Sequence, residues 1–390
     1  MRDVYVIGVG ITRFGELWER SFRDIGIEAG IKAINDSGIA GDDIDALYIG
    51  NMSAGAFINQ EHIGALIVDY VGFASSSHIP AVRVEAAGAS GAIAFKEAYL
   101  SIASGMHDIA VVGGAEKMTD IGDEMANAIQ GMVIDQEWET VFGATYASLQ
   151  AMMARAHMEK YGTTREQLGM VSVINHRHGA LNPDAQFQRE IKLQTVLNSG
   201  YVAEPLRVFD MAPLSDGAAS LVLASGDVAK KYTDNPVKVK GIGQASDTIS
   251  LHDRREICTM DATVHAAKRA YERAGAKPAD IDVAEVYDSS TIAEIIAIED
   301  LGFFDKGQGG KAVEDERIAL TGEIPVNTSG GLKARGHPVG ATGVAQIVEI
   351  VKQLRGEADK RQVKDARLGL AHAVGGSGAT AVVSILEGSQ

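Results

Sequence analysis

The feature that most constrains the fold of this chain is an internal duplication. Residues 31–49 and 266–287 both have the pattern of an amphipathic helix, a glycine that ends the helix, and a following strand. Each copy places Asp-Ile-Asp, beginning at Asp43 and at Asp280, five residues after that glycine. Self-similarity of this kind indicates that one structural unit occurs twice. The sequence therefore predicts a fold built from two related halves.

The similarity extends on both sides of this core. A glycine-containing strand precedes each copy, VYVIGVG early and VKVKGIG late, and each half closes on a glycine-rich strand end, IAVVGGAEKM and LGLAHAVGGSG. Strands that alternate with helices predict an α/β fold, with largely parallel sheets covered by helices. We predict an N-terminal half over residues 1–118, a helical and loop-rich insertion over 119–235, and a C-terminal half over 236–390.

Composition and charge exclude several classes of protein. The chain has 46% hydrophobic and 23% charged residues, which is typical of soluble globular proteins. Its formal net charge of −16 argues against a nucleic-acid interface, because such surfaces concentrate Lys and Arg. No stretch is apolar over the roughly 18 residues that a membrane span requires, and the N-terminal MRDVYVIGVGITRFG resembles a first strand more than a leader. We expect a cytoplasmic protein that has neither nucleic acid nor membrane as partner.

Three local motifs do not predict a site. GVGITRFG has Arg13 where a dinucleotide-binding fingerprint needs its third glycine. His176 and His178 in NHRHG are not accompanied by a cluster of carboxylates or cysteines, so a metal site is not favoured. Cys258 is the single cysteine, which excludes disulfides within the chain, and we interpret it as a small buried apolar residue.

Three glycine-rich segments combine small and polar residues at the ends of predicted strands. They are VEAAGASG at 84–91, GGLKARGHPVGATG at 330–343 and HAVGGSG at 372–378. Backbone N–H groups in such loops can converge on an anion or on a developing negative charge. Because the three segments occupy comparable points of a duplicated architecture, we expect them to meet at one site.

These segments carry a resemblance to a known family. Together with NMSAGAFINQEHIGAL, GGAEKMTD and VFDMAPLSDGAASLVL, they make nearly the whole chain resemble the thiolase superfamily. Within it, the chain is most similar to archaeal acetoacetyl-CoA thiolases (acetyl-CoA C-acetyltransferases) and to sterol-carrier-type thiolases. The resemblance implies a five-layered α/β/α/β/α thiolase fold whose inserted loop domain covers a coenzyme A tunnel. It also implies Claisen condensation of acyl-CoA thioesters or its reversal, no bound cofactor, and a homodimer or homotetramer.

The catalytic positions of the family can be compared with this chain one at a time. The nucleophilic cysteine of the family corresponds to Gly88, whereas the histidine of the GHP motif is retained as His337. The HDCF motif of sterol-carrier-type members is YDSS here, so Tyr287 replaces its histidine and Ser289 its cysteine. The alternative acid/base cysteine position is Ala373. Without a nucleophile at residue 88 the chain cannot form the acyl-enzyme of the family.

The same resemblance implies which residues surround the substrate. Gly336, Ala373, Gly375 and Gly376, in the second and third glycine-rich segments, are expected to contact the substrate. Ser90 occupies the family's structural serine position. The VFGATY and DMAPLSDG segments of the insertion are expected to line the coenzyme A and acyl channel.

Three functional hypotheses remain open at this point. The chain could be an acetoacetyl-CoA thiolase homologue that has lost turnover and serves as a scaffold with HMG-CoA synthase and a small OB-fold protein in the mevalonate pathway. It could be a retro-aldolase for a β-hydroxyacyl-CoA, similar to the thiolase-like aldolases of steroid side-chain degradation, with Tyr287 beside Asp288 as base and with His337, Gly88 and Gly375 holding the enolate oxygen. It could also transfer an acyl group directly, with His337 as base and Ser289 as a weak acid/base.

Overall fold

The computed structural model describes residues 1–73 and 75–389. Its strands are β1 (Val4–Ile11), β2 (Ala46–Gly50), β3 (Ala81–Val84), β4 (Ile109–Glu116), β5 (Tyr201–Ala203), β6 (Leu206–Arg207), β7 (Gly217–Ser225), β8 (Val237–Ser246), β9 (Val283–Glu285), β10 (Leu368–Gly375) and β11 (Thr380–Glu387). Its α-helices are α1 (Phe22–Ser37), α2 (Ala54–Ile58), α3 (Ile63–Tyr70), α4 (Ser90–Ala103), α5 (Asp123–Gly131), α6 (Tyr146–Tyr161), α7 (Arg165–Gly179), α8 (Leu193–Leu197), α9 (Gly226–Ala229), α10 (Asp261–Ala274), α11 (Thr291–Asp300), α12 (Gly309–Glu314), α13 (Gly331–Arg335) and α14 (Val339–Arg355).

The order of the strands shows the duplication directly. One half contributes β3-β2-β4-β7-β1 and the other β8-β11-β10-β9, and the two halves join where β1 pairs with β8. In each half a parallel pair, β2 with β4 or β9 with β10, is followed by two antiparallel pairs. A single parallel bridge between Ala284 and Val326 stands where the N-terminal half has β3. The prediction of two homologous halves is confirmed.

The repeated Asp-Ile-Asp motif makes equivalent hydrogen bonds in both halves. The last aspartate of each copy, Asp45 or Asp282, accepts hydrogen bonds from two consecutive backbone N–H groups. Those groups belong to residues 108–109 in the first half and 367–368 in the second, where β4 and β10 begin. The motif therefore fixes the register of neighbouring parallel strands.

Glycines in β1 and β8 allow a helix to lie directly on the sheet. A Cβ atom added at Gly10 would overlap the carbonyl oxygen of Ala29 in α1, and one added at Gly243 would overlap that of Ala266 in α10. Only glycine, which has no Cβ atom, lets the strand and helix backbones approach so closely.

The helices and the two halves of the strand order, here called the N-terminal and C-terminal sheets, form five layers, as the family resemblance implies. Helices α1 and α3 pack on the outer face of the N-terminal sheet, and α10 and α11 on the outer face of the C-terminal sheet. Helices α4 and α14 lie between the two sheets. They approach closely, since a Cβ atom at Gly91 would lie 2.7 Å from the carbonyl oxygen of Gly340.

Helices α5 to α8 and the β5–β6 ribbon lie between β4 and β7 in the chain. The range predicted as an insertion, residues 119–235, also contains β7, which pairs with both β4 and β1. The part of the chain that leaves the N-terminal sheet is therefore residues 117–216. Within residues 1–73 and 75–389 no helix combines the length and apolarity needed to cross a membrane.

Candidate active site

Tyr287 and His337 meet in a small cavity between the two halves. Tyr287 follows β9 and His337 precedes α14, so they are 50 residues apart in sequence. The Tyr287 hydroxyl oxygen lies 3.1 Å from His337 Nε2, and the two rings are nearly perpendicular at 87°. Both side chains line a cavity of about 40 Å³. The tertiary structure thus brings into contact two candidate catalytic residues that are distant in sequence.

The hydrogen bonds of His337 fix its tautomer. Its Nδ1 lies 2.7 Å from the hydroxyl oxygen of Thr342, and that hydroxyl donates to the carbonyl oxygen of Pro338 at 3.0 Å. Since the single hydroxyl proton of Thr342 is already used, Nδ1 of His337 carries the proton and donates it. Nε2 is therefore the acceptor, and the Tyr287 hydroxyl donates to it.

Desolvation keeps this pair uncharged. The loss of water around the His337 ring, together with the nearby Arg335 guanidinium, lowers the pKa of His337 to about 3. Desolvation, and to a smaller extent Tyr146 and Asp288, raises the pKa of Tyr287 well above its usual value. At neutral pH the site holds a neutral imidazole and a neutral phenol.

Gly88 and Tyr287 share one space. A Cβ atom at Gly88 would overlap the hydroxyl oxygen of Tyr287 and the carbonyl oxygen of Val374. Gly88 lies in a 3-10 turn just before α4, and Gly88 itself lines the cavity. The space that a side chain at residue 88 would enter is thus occupied by the phenol oxygen of Tyr287.

The turn around Gly88 is closed by Ser90. Its hydroxyl donates to the carbonyl oxygen of Ala87 at 2.6 Å and accepts the N–H of Ala86 at 2.9 Å. These bonds commit the hydroxyl to the backbone of the turn, which is a structural role.

A second pair of hydroxyl groups lies on another wall of the cavity. The hydroxyl oxygens of Tyr146 and Ser289 are 2.6 Å apart. Tyr146 begins α6, and desolvation raises its pKa to about 12. The sequence pointed to the VFGATY segment, but no pattern in it distinguished Tyr146 from its neighbours.

The DMAPLSDG segment reaches the site at two points. Met211 and Ala212 line the cavity. Ser215 accepts the backbone N–H of His337 at 2.8 Å, which anchors the loop that carries the imidazole. Sequence reasoning did not single out Ser215 or Thr342, although both make direct hydrogen bonds to His337.

Asp288 lies beside Tyr287 in sequence but turns away from the cavity. Its carboxylate accepts the backbone N–H groups of Leu332 at 2.7 Å and Lys333 at 3.0 Å, and the Asn175 side-chain amide at 2.9 Å. Burial raises its pKa to about 6. These bonds hold the start of α13 in place, so Asp288 is a structural anchor of the site.

The residues predicted to bind substrate in the glycine-rich loops do not all line the active-site cavity. Gly376 lines the cavity, and both Gly375 and Gly376 line a wider groove of about 360 Å³ that adjoins it. Ala373 is buried within β10, and a Cβ atom at Gly336 would face Ser215. Ala373 and Gly336 therefore lie outside the cavity and the groove.

The remaining candidates have structural environments. The His176 ring stacks on Phe187, and His178 accepts the N–H of Leu320 at 3.1 Å; burial lowers the pKa of each histidine to about 4. Cys258 is buried, which raises its pKa to about 11. In the part of the chain that the structure describes, no group of three or more His, Cys, Asp or Glu side chains could hold a metal ion.

One contributor to the site was not predicted at all. Glu116, at the end of β4, is fully buried, and its carboxylate accepts the N–H groups of Met52, Ser53 and Gly340 at 2.8 to 3.1 Å. Burial raises its pKa to about 7. It ties the loop that bears Met52, a cavity residue, to the start of α14.

Family models cover almost all of the chain. Residues 4–227 match the thiolase N-terminal domain, and residues 243–388 match the thiolase C-terminal domain-like family. The acetyl-CoA acetyltransferase of Methanothermobacter thermautotrophicus is 56% identical over 387 residues, which cover 99% of this chain and 100% of that protein. Sterol carrier protein 2 of Bos taurus is 36% identical, over 97% of this chain and 71% of that protein.

Solved structures agree with the architecture. A structure described as the Ltp2-ChsH2(DUF35) aldolase superposes with a TM-score of 0.85 and 27% identity, covering 98% of this chain and 97% of the other. Human mitochondrial 3-ketoacyl-CoA thiolase in complex with CoA superposes with a TM-score of 0.75 over 100% of this chain and 98% of the other. At 16% identity, that likeness shows the fold alone.

Proposed function

Since this chain belongs to the thiolase family, we propose that it acts on acyl-CoA thioesters and makes or breaks a carbon–carbon bond without forming an acyl-enzyme. The observation that carries this proposal is the Tyr287 hydroxyl, which fills the space of a side chain at residue 88 and donates to His337. A cavity with no cysteine among its described lining residues, but with a phenol and an imidazole in contact, suits proton transfer rather than covalent catalysis. The reaction class that fits is aldol cleavage or aldol addition.

In the cleavage direction, the substrate is a β-hydroxyacyl-CoA. The Tyr287 oxygen accepts the proton of the β-hydroxyl group while its own proton passes to Nε2 of His337. The bond between Cα and Cβ breaks, its electron pair moves to the thioester as an enolate, and Cβ leaves as the carbonyl carbon of an aldehyde or ketone. The proton then returns through Tyr287 to Cα, which yields a shorter acyl-CoA.

The pKa directions constrain the timing of these transfers. A free tyrosinate or a free imidazolium is disfavoured, because desolvation disfavours both charged forms. The enolate provides a negative charge beside His337 only as the carbon–carbon bond breaks, and this charge favours the imidazolium. Proton transfer and bond cleavage are therefore concerted in this proposal.

Backbone amides supply the groups that stabilise the enolate oxygen. Gly88 and Gly376 contribute to the cavity from two different loops, and neither carries a side chain that would keep the substrate away. Gly88 also lies at the start of α4, where the helix dipole favours negative charge. Donors of this kind commonly contribute about 10²–10³ in rate.

The decisive experiment compares wild type with Tyr287→Phe on short β-hydroxyacyl-CoA substrates. Liquid chromatography would follow the shortened acyl-CoA, and derivatisation would capture the released aldehyde or ketone. We expect Tyr287→Phe to lose about 10²–10⁴ in kcat, the usual contribution of a positioned acid or base. Tyr271→Phe is the matched control, because the Tyr271 hydroxyl is buried elsewhere and donates to the carbonyl oxygen of Leu301. Equal rates for wild type and Tyr287→Phe would refute the proposed role.

A second candidate is acetyl transfer, which the name of the relative at 56% identity, an acetyl-CoA acetyltransferase, favours. Thiolysis of acetoacetyl-CoA tests it. We expect Gly88→Cys alone to be inactive, because the new side chain overlaps Tyr287. Gly88→Cys combined with Tyr287→His restores the residues of the family at both positions and is expected to gain thiolase activity. Thiolysis by the wild type, with a kinetic pattern that needs both substrates bound together, would favour direct acyl transfer over aldol chemistry.

Assembly with a small partner protein is part of this proposal. The structure that superposes at a TM-score of 0.85 is described as the Ltp2-ChsH2(DUF35) aldolase, a description that names a DUF35 protein beside Ltp2. We infer that this chain also forms a homo-oligomer and binds a small partner of that kind. Purification from its native source followed by light scattering and mass spectrometry tests both statements; a monomer without a partner would contradict them.

A further inference from the structure

The outer side of the N-terminal half contains an apolar cavity of about 330 Å³. It lies between α1, α3 and the face of the sheet formed by β2, β4 and β7. Its walls are mainly aliphatic, with Ile27 and Ile34 from α1, Ile67 from α3, and Leu47 and Ile49 from β2. Protein interiors rarely contain voids much larger than a water molecule, so a space of this size needs an explanation.

Three glycines help to create the space. Gly26 and Gly30 lie within α1, and Gly113 lies in β4. A Cβ atom on Gly30 would meet no neighbouring atom of the described residues within 4 Å, and on Gly26 and Gly113 the nearest contacts would be 3.4 and 3.8 Å. Glycine within a helix is destabilising relative to alanine, and among the described residues no close backbone approach compensates for it at Gly26 or Gly30.

The C-terminal half provides an internal comparison. Gly10 lies against Ala29 of α1 as Gly243 lies against Ala266 of α10, which aligns the two helices residue by residue. The parallel pairs align the strands in the same way, with Ala46 opposite residue 110 in one half and Val283 opposite residue 369 in the other.

In this alignment the C-terminal half fills the corresponding space. Thr263 stands at the place of Gly26, Ala267 at that of Gly30, and His372 at that of Gly113. The Thr263 hydroxyl and Nε2 of His372 are 2.9 Å apart, and both side chains are completely buried. The scaffold therefore accepts a filled version of this layer, and the cavity is a property of the N-terminal sequence.

The entrance of the cavity is apolar and carries a cation. Ile31, Tyr70 and Val71 line the cavity and are 52%, 56% and 37% exposed, so an apolar path leads from solvent to the interior. The Arg23 guanidinium lies over the Tyr70 ring at this entrance, 5.6 Å from its centroid. A hydrocarbon interior with a cation at the mouth complements an amphiphile that has an apolar tail and an anionic head.

We propose that this cavity binds a medium-chain fatty acid, with its tail between α1 and α3 and its carboxylate beside Arg23. The volume falls within the range of small-molecule sites, which are lined mainly by apolar side chains and have few polar groups. In the part of the chain that the structure describes, the cavity shares no lining residue with the Tyr287–His337 site, so it is a separate site. The proposal does not depend on the reaction proposed above.

Isothermal titration of the full chain with decanoate tests the proposal. We expect saturable binding with one decanoate per chain. Gly30→Leu places an aliphatic side chain inside the cavity and is expected to weaken binding at least tenfold, while thermal unfolding shows an unchanged or higher Tm. Gly131→Leu is the matched control, because Gly131 ends α5 and a Cβ there also meets no neighbour within 4 Å among the described residues.

Arg23→Gln tests the position of the head group. It should weaken decanoate binding and leave the binding of decanol, which lacks the charge, unchanged. If Gly30→Leu does not fold, Gly30→Ala gives a smaller decrease in the same direction. Absence of saturable decanoate binding to the wild type would overturn the proposal, as would equal affinity in the Gly30 variant and the wild type. A change of oligomeric state in Gly30→Leu without decanoate binding would assign the cavity to contact with a second copy instead.

Discussion

Gly88 and Tyr287 have to be considered together, because the tyrosine hydroxyl lies where any side chain at residue 88 would begin. We expect Gly88→Ala to destabilise the protein by about 1–3 kcal/mol, the usual cost of overpacking a close-packed site. In a Tyr287→His background the cost should fall, since the shorter imidazole removes the overlap with the phenol oxygen and leaves only that with the carbonyl oxygen of Val374. Urea unfolding of the two single variants, the double variant and the wild type gives the coupling free energy. Additive effects would show that the two residues do not compete for one space.

Tyr146 lines both the active-site cavity and a smaller void of about 10 Å³ that Met153 and Met260 also line. We therefore expect the protein to favour short acyl groups, and Tyr146→Ala to join the two spaces. The ratio of affinities for a ten-carbon over a four-carbon β-hydroxyacyl-CoA should rise at least tenfold, measured by calorimetry, independently of turnover. Tyr146→Phe keeps the wall and should not change the ratio. Met152→Ala, at an exposed position on the same helix, is a control; an unchanged ratio in Tyr146→Ala would contradict this role.

The contact between a strand and its covering helix is the element that the two halves share most closely. We expect Gly10→Ala and Gly243→Ala each to destabilise the fold by at least about 1–3 kcal/mol, because the new Cβ overlaps a helix carbonyl that cannot move alone. Gly30→Ala should instead stabilise by up to about 1 kcal/mol through helix propensity. Thermal and urea unfolding compare the three variants. A neutral effect at Gly10 or Gly243 would mean that the helix shifts easily on its strand.

Elements were predictable where one local pattern was sufficient. The Asp-Ile-Asp repeat, its preceding glycine and the glycine-containing strands identified equivalent pieces of both halves, and the structure shows the same contacts in each. Strand β7 was not separated from the predicted insertion, because its apolar sequence does not show which strands it pairs with. That pairing joins residues about a hundred positions apart, with Val112 opposite Leu221.

Across the whole molecule, buried histidines should make stability depend on pH. Burial lowers the pKa of His176 and His178 to about 4, and that of His337 and His372 to about 3. Their unfolded-state pKa is about 6.5, so the unfolded chain binds more protons between these values. The stability they contribute is complete above pH 6.5 and is lost as the pH falls toward 3.

Buried carboxyl groups act in the opposite direction over part of this range. Burial raises the pKa of Glu116 and Glu285 to about 7 and of Asp288 and Asp300 to about 6, so the folded state holds their protons where the unfolded state releases them. Comparing the wild type with a variant of one histidine cancels the contribution of these carboxyl groups to the pH dependence. The free energy of unfolding of wild type minus that of His372→Leu should fall by about 1.4 kcal/mol per pH unit below pH 6.5. A difference independent of pH would show that His372 is not held neutral.

The sequence alone was sufficient to predict the family and the duplicated α/β architecture. These properties depend on local patterns, because glycine positions, helix ends and motif residues are visible in short segments. The same reasoning named Tyr287 and His337 as candidate catalytic residues in separate roles and did not place them in contact.

Only the tertiary structure decided what the changed residues do. It shows that the Tyr287 hydroxyl fills the space at Gly88, that Thr342 fixes the tautomer of His337, and that Asp288 turns away to anchor α13. It also shows an apolar cavity in the N-terminal half at the place where the buried side chains of Thr263 and His372 occupy the C-terminal half. These facts depend on which side chains share a volume, and residues distant in sequence share a volume only after the two halves have packed together.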